Sequence, residues 1–93
     1  LDSISKINVD KCFIGANGIS ENKITISNYD EGLIQKMILD NAKENYLLID
    51  SSKFGKEALY TFAKTDELTG IITDKKLDTE ILKEYRKRAK IIN

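Results

Sequence analysis

Three short polar clusters, each placed directly after an apolar run, hold the residues of this chain that are equipped for ligand chemistry. Gly15-Ala16-Asn17-Gly18 follows Lys11-Cys12-Phe13-Ile14, Asp50-Ser51-Ser52-Lys53 follows Tyr46-Leu47-Leu48-Ile49, and Asp74-Lys75-Lys76 follows Gly70-Ile71-Ile72-Thr73. Two glycines three apart free the backbone for a close approach to a ligand, and consecutive amides there can form an anion nest. Lys53 supplies a point charge of the kind that recognises phosphate. Each cluster also has a plainer reading. Gly15 and Gly18 fit a simple tight turn, which spacing alone favours, and Asp50 with Ser51 fits the cap of a short helical turn. Lys53 is then one more solvated lysine, and Asp74 to Lys76 a surface loop. Cys12 reads as a small core residue rather than a nucleophile. The cations Lys83, Arg86, Lys87, Arg88 and Lys90 either touch nucleic acid or complete a helix C-terminus, where positive charge is favoured.

The elements that must position these clusters alternate between strand and helix. Lys11 to Ile14 is a first strand, and Ile24-Thr25-Ile26 is a weaker one. Asn28 with Glu31 has the spacing of a capping box, Asp30 and Glu31 suit a first helical turn, and Leu33, Ile34, Met37, Ile38 and Ala42 recur at helical steps. A helix is therefore expected over 29–44. Tyr46 to Ile49 reads as a strand buried on both faces. Ala58 to Ala63 reads as another, with Tyr60 and Phe62 on one face. Gly70 to Thr73 is a further short strand. Asp78 caps a last helix over 78–88 with Ile81, Leu82, Tyr85 and Ala89 inward, and Lys90-Ile91-Ile92 is a final strand. Such alternation predicts an α/β protein with a largely parallel sheet, the helix 29–44 crossing over between strands 11–14 and 46–49. In open sheets of this kind ligands bind beyond the carboxyl ends of the strands. If the strands are parallel, all three clusters share that edge.

Composition narrows the chemistry. The 93 residues are 41% hydrophobic, enough for a packed core, and carry 15 basic and 15 acidic side chains. That balance disfavours a dedicated nucleic-acid surface within the chain. No histidine and a single cysteine remove Ser-His and Cys-His nucleophiles, an internal disulfide and the usual ligands of zinc. No apolar run approaches a membrane span, so a cytoplasmic protein without membrane contact is expected, and neither metal nor cofactor is implied. Leu1 to Asp10 shows no strand or helix pattern. A parallel sheet led by so few strands should leave apolar surface bare, which points to a piece of a larger domain and to association between copies.

The clusters and the strands before them also resemble a known family. Asp10-Lys11-Cys12-Phe13-Ile14-Gly15-Ala16-Asn17-Gly18-Ile19 is similar to the "DKxFIGxxGI" segment of the DeoR family of bacterial sugar-metabolism regulators. Tyr46 to Gly55 resembles its second hallmark, an apolar strand followed by "DSSKFG", and Ile71-Ile72-Thr73-Asp74 its later "hITD". The likeness runs in order from about Asp10 to the end of the chain. It implies a transcriptional repressor with an N-terminal winged helix-turn-helix for operator DNA and a C-terminal sensor for a phosphorylated sugar. Residues 1–93 would be the C-terminal part of that sensor, without the DNA-binding domain and the first sensor strands. The implied fold is a partial three-layer, Rossmann-like sheet of the type shared by ribose-5-phosphate isomerase, glucosamine-6-phosphate deaminase and CoA-transferases. The positions that carry over as ligand contacts are Gly15, Asn17 and Gly18 in the first loop, and Asp50, Ser51 and Lys53 in the second. The related enzymes place acidic catalytic residues in the first loop. Asn17-Gly18 offers none, so a sensor that binds without turnover is expected. An isomerase or deaminase fragment of the same fold is the alternative. A plain nucleotide-binding module is disfavoured, because no glycine-rich loop opens a helix.

The expected core comprises Phe13, Ile14, Ile34, Ile38, Leu47, Ile49, Ile71, Ile72 and Leu82, with strands 11–14, 46–49 and 70–73 parallel in one sheet.

Overall fold

The computed structural model describes residues 7–93. Among these residues seven strands and two helices follow one another: β1 (Val9–Gly15), β2 (Gly18–Ser20), β3 (Lys23–Ile26), α1 (Tyr29–Asp40), β4 (Ala42–Leu48), β5 (Tyr60–Lys64), β6 (Gly70–Ile72), α2 (Thr79–Arg86) and β7 (Ile91–Ile92). Short 3₁₀ turns at Ser51–Lys53 and Thr65–Glu67 flank β5.

A four-stranded sheet has the order β1-β4-β6-β7. All its pairings are parallel, with Gly15 beside Leu48, Leu48 beside Ile72 and Ile72 beside Ile92. The parallel arrangement of strands 11–14, 46–49 and 70–73 is therefore as the sequence predicts. The weaker strand and the Ala58–Ala63 segment do something else. With β2 they form a separate antiparallel sheet of order β2-β3-β5.

Helix α1 begins as expected, the Asn28 side chain accepting from the Glu31 amide at 2.9 Å. It stops at Asp40 and does not reach residue 44. The Asn41 side chain donates to the Met37 carbonyl and its amide to that of Ile38, which closes the helix. Ala42 then starts pairing with Val9, so β4 is longer than the apolar run 46–49. Likewise β1 starts at Val9, inside a stretch that shows no strand pattern, while residues 1–6 of that stretch lie outside the described residues. Asp78 caps α2 through the amides of Glu80 and Ile81. Lys83, Lys87 and Arg88 of the basic cluster pair with Glu80 and Glu84, as a solvated helix end does.

The core lies on one face of the parallel sheet. Cys12, Ile14, Leu47, Ile71 and Ile91 point to that side and join Ile19, Ile24, Ile26, Leu39, Phe54, Phe62 and Tyr85 in one cluster. Five expected core residues are not in it: Phe13, Ile34, Ile38, Ile72 and Leu82. Phe13 is 61% exposed, because it sits on the opposite face beside Tyr46, on which it stacks at 5.5 Å. Ile34 is 40% exposed, because α1 packs along Gly32 and Leu39 instead of along its apolar stripe. A Cβ at Gly32 would lie 2.9 Å from Ile26 Cγ2, so the bare backbone is what lets the helix settle on β3 and β5. Ile38 and Leu82 are half-buried and pack against the cluster, whereas Ile72, in register with Leu48 and Ile92, is half-buried on the opposite face. Tyr46 to Ile49 is not buried on both faces either: Leu47 is inaccessible, whereas Leu48 is 48% exposed.

Candidate functional site

The carboxyl ends of β1, β4 and β6 lie side by side, so the three polar clusters share one rim. Specific contacts draw them closer. The Gly55 amide donates to the Ile19 carbonyl at 2.7 Å, which ties the loop after β4 to β2. Gly18 is buried in the same seam. A Cβ there would lie 2.3 Å from the Lys56 carbonyl oxygen, so its missing side chain is what lets the two loops pack together. Thr25 completes the seam: its Oγ1 donates to the Gly18 carbonyl and accepts from the Ala58 amide at 2.8 Å.

Gly15 has open space where a side chain would be. Its peptide groups are held from α1, the amide donating to Gln35 Oε1 at 2.8 Å and the carbonyl accepting from Gln35 Nε2 at 2.9 Å. Asn17 is exposed, and its carbonyl oxygen accepts from the Ser27 amide at 2.8 Å. Its Nδ2 donors have no partner among the described residues.

On the next turn Asp50 is an exposed cap. Its carboxylate accepts from the amide and the hydroxyl of Ser52, whose hydrogen bonds, with the Lys53 charge nearby, hold its pKa below the ordinary carboxylate value. Asp50 thus caps the turn, and both bonds fall on its Oδ1. Ser51 is half-buried and donates its amide to Asp74 Oδ2 at 2.9 Å. Asp74 also accepts from the Lys76 amide at 2.8 Å. These backbone donors, Ser51 first, lower its pKa as well. Lys53 ends the turn, half-buried and in none of the ion pairs among the described residues.

The rim thus offers a cation at Lys53, amide donors at Asn17, and an open backbone at Gly15. Two carboxylates are already engaged as acceptors and are ionised at neutral pH, so neither is poised to take or give a proton. Among the described residues no group of three or more His, Cys, Asp or Glu is placed to hold a metal ion. No helix among them is long and apolar enough to cross a membrane.

Sequence reasoning missed Gln35, Thr25 and the bracing role of Asp74. Gln35 and Thr25 carry no local signal, since a glutamine on a helix and a threonine in a strand are ordinary. Asp74 had one, standing two residues ahead of a lysine amide in a turn.

Comparison with known proteins shows the family. Residues 1–75 match the model of the DeoR C terminal sensor domain. The chain is 41% identical over 90 residues to a lactose phosphotransferase system repressor of Streptococcus mutans, covering 97% of this chain and 36% of that protein. It is 44% identical over 78 residues to the HTH-type transcriptional regulator IolR of Bacillus subtilis, covering 83% of this chain and 31% of the relative. It is 36% identical over 75 residues to the HTH-type transcriptional repressor GlcR of the same organism, covering 81% and 29%. The chain spans about a third of the length of these relatives.

Proposed function

The chain belongs to the DeoR C-terminal sensor domain family, and from that premise we propose that it is the effector-binding part of a transcriptional repressor that senses a phosphorylated sugar. The observation that carries this is the shared rim, where the turn 50–56, which bears Lys53, is tied to Gly18 and Ile19 on one side and to Asp74 on the other. Lys53 takes the phosphate, Asn17 the sugar hydroxyls, and the Gly15 backbone lets the ligand come close. Asp50 and Ser51 shape the turn that presents Lys53, and Gly18 keeps the two loops in contact. The name of one relative, a lactose phosphotransferase system repressor, supports regulation of sugar use. The full-length protein carries an N-terminal helix-turn-helix for operator DNA and the remaining sensor strands, works in the cytoplasm and assembles from several copies. Effector binds one arrangement of that assembly better than another, and DNA affinity follows. The module is a sensor and not an enzyme, in keeping with carboxylates that are locked to backbone donors.

The test uses full-length protein, operator DNA and a panel of hexose phosphates. Lys53→Ala should raise the concentration needed to release operator roughly ten-fold or more, the loss of a charge-assisted hydrogen bond. Operator affinity without sugar phosphate should stay near normal, because the lysine faces the metabolite. Unchanged induction in both Lys53→Ala and Asn17→Ala would place the pocket elsewhere.

A further inference from the structure

Among the described residues β1 is the outermost strand of its sheet, and Gly15 pairs there with Leu48 on the β4 side. A strand edge leaves peptide groups without partners. At Gly15 they are nevertheless satisfied, by one side chain. Gln35 accepts from the Gly15 amide at 2.8 Å and donates to the Gly15 carbonyl at 2.9 Å, through the two ends of one amide group. That is the pair of bonds a neighbouring strand would supply, delivered from the middle of α1.

We propose that Gln35 is a positioning residue of the effector site, fixing the Gly15 peptide and with it the start of the Gly15–Gly18 loop. This rests on the reading of the rim as a sugar-phosphate site. The physical case has three parts. A doubly bonded planar amide sets both the position and the tilt of the Gly15 peptide, which a single bond does not. Gly15 is exposed and has no Cβ contacts, so on the side away from Leu48 it is Gln35 that restrains it. Asn17 follows two residues later, and its own carbonyl oxygen is anchored to Ser27. The loop is therefore held at Gly15 by Gln35 and, from Asn17 onward, by Ser27, by the Thr25 carbonyl and by the pairing of Gly18 with Thr25. A loop held in its binding geometry spares the ligand the cost of ordering it. Because Gln35 belongs to α1, the same clamp ties the ligand edge to the helix.

The variant that isolates this role is Gln35→Met, which keeps length and helix propensity and removes both bonds. Lys36→Met is the control, because Lys36 pairs with Asp40 and Glu67 and does not touch Gly15. Titration calorimetry on the full-length protein, with galactose 6-phosphate, glucose 6-phosphate, fructose 6-phosphate and inorganic phosphate as probes, is combined with hydrogen exchange at the Gly15 amide and a thermal melt. The expected result for Gln35→Met is a roughly ten-fold weaker Kd for the probe that binds best, as two modest hydrogen bonds predict. Faster exchange at Gly15 should accompany it, with a melting temperature close to that of Lys36→Met. Lys36→Met should leave the Kd unchanged. A lower melting temperature for Gln35→Met with an unchanged Kd overturns the proposal, since that is the mark of a merely structural contact. If Lys53→Ala weakens binding while Gln35→Met does not, only the role of Gln35 falls. If no probe binds wild-type protein, the sugar-phosphate reading fails and the positioning role falls with it.

Discussion

Both oxygens of the Asp74 carboxylate accept from backbone amides, and Oδ1 of Asp50 accepts from the amide and the hydroxyl of Ser52. Single side chains thus hold the turns that frame the rim, and they do so only while ionised. Each of these carboxyls has a folded pKa below its ordinary value, Asp50 through the Ser52 hydroxyl and amide and Asp74 through the Ser51 and Lys76 amides. As pH falls the unfolded chain takes up these protons before the folded one. Their contribution to stability is therefore complete above about pH 4 and is lost as pH drops through the lower folded values. Urea melts at a series of pH values should show the midpoint falling with acid below about pH 4, and Asp74→Asn should flatten part of that slope. A slope unaltered in the variant would mean that Asp74 is not held in the folded state as described.

At the scale of elements, β4 is the strand on which the parallel sheet depends. It lies between β1 and β6, and its alternate side chains have opposite fates. Leu47→Ala should cost roughly 2–5 kcal/mol, as large-to-small changes in a closed core do. Leu48→Ala, one residue on and on the bare face, should cost well under half of that in the isolated chain, as chemical denaturation will show. Equal losses would mean that both faces are covered. The strands were legible because Tyr46 to Ile49, Gly70 to Thr73 and Lys11 to Ile14 are short apolar runs with turn residues behind them. The first half of β4 was not. Ala42-Lys43-Glu44-Asn45 has helical composition, and it becomes strand only because Val9 and its neighbours are there to pair with it. Buried Asn45 is tolerated there because its side chain accepts from Cys12 and donates to the Glu67 carbonyl. For the site, the types of residue were legible and their partners were not. Lys53 and Asn17 announce themselves, whereas the reach of Gln35 to Gly15 spans 20 residues of sequence and exists only in the fold.

For the molecule as a whole, the two faces of the parallel sheet are unequal. One is filled by the antiparallel sheet, the helices and the loop at Phe54. On the other, Phe13, Leu48 and Ile92 are exposed at 61%, 48% and 38%. Apolar surface gathered in one place tends to find a partner. The 93-residue chain on its own should therefore associate with itself through this face, and light scattering over a range of concentrations should show mass rising above that of one copy. Leu48→Lys should shift the chain back towards monomer, because a charge in the centre of such a contact is costly to bury. A clean monomer at every concentration would remove this face as a self-contact.

Cys12 is the single cysteine of the chain and lies beside Asn45 in the β1–β4 ladder, 6% exposed, with burial holding its thiol above the ordinary pKa. Only a thiolate in contact with solvent reacts with an alkylating reagent, so labelling must wait until β1 parts from β4. The rate of labelling, relative to that of the unfolded chain, is then the fraction of time this seam stands open. A compound that binds at the strand ends and favours the closed sheet will slow it. The protein carries its own chemical clock for the breathing of the sheet, and needs no introduced label to read it.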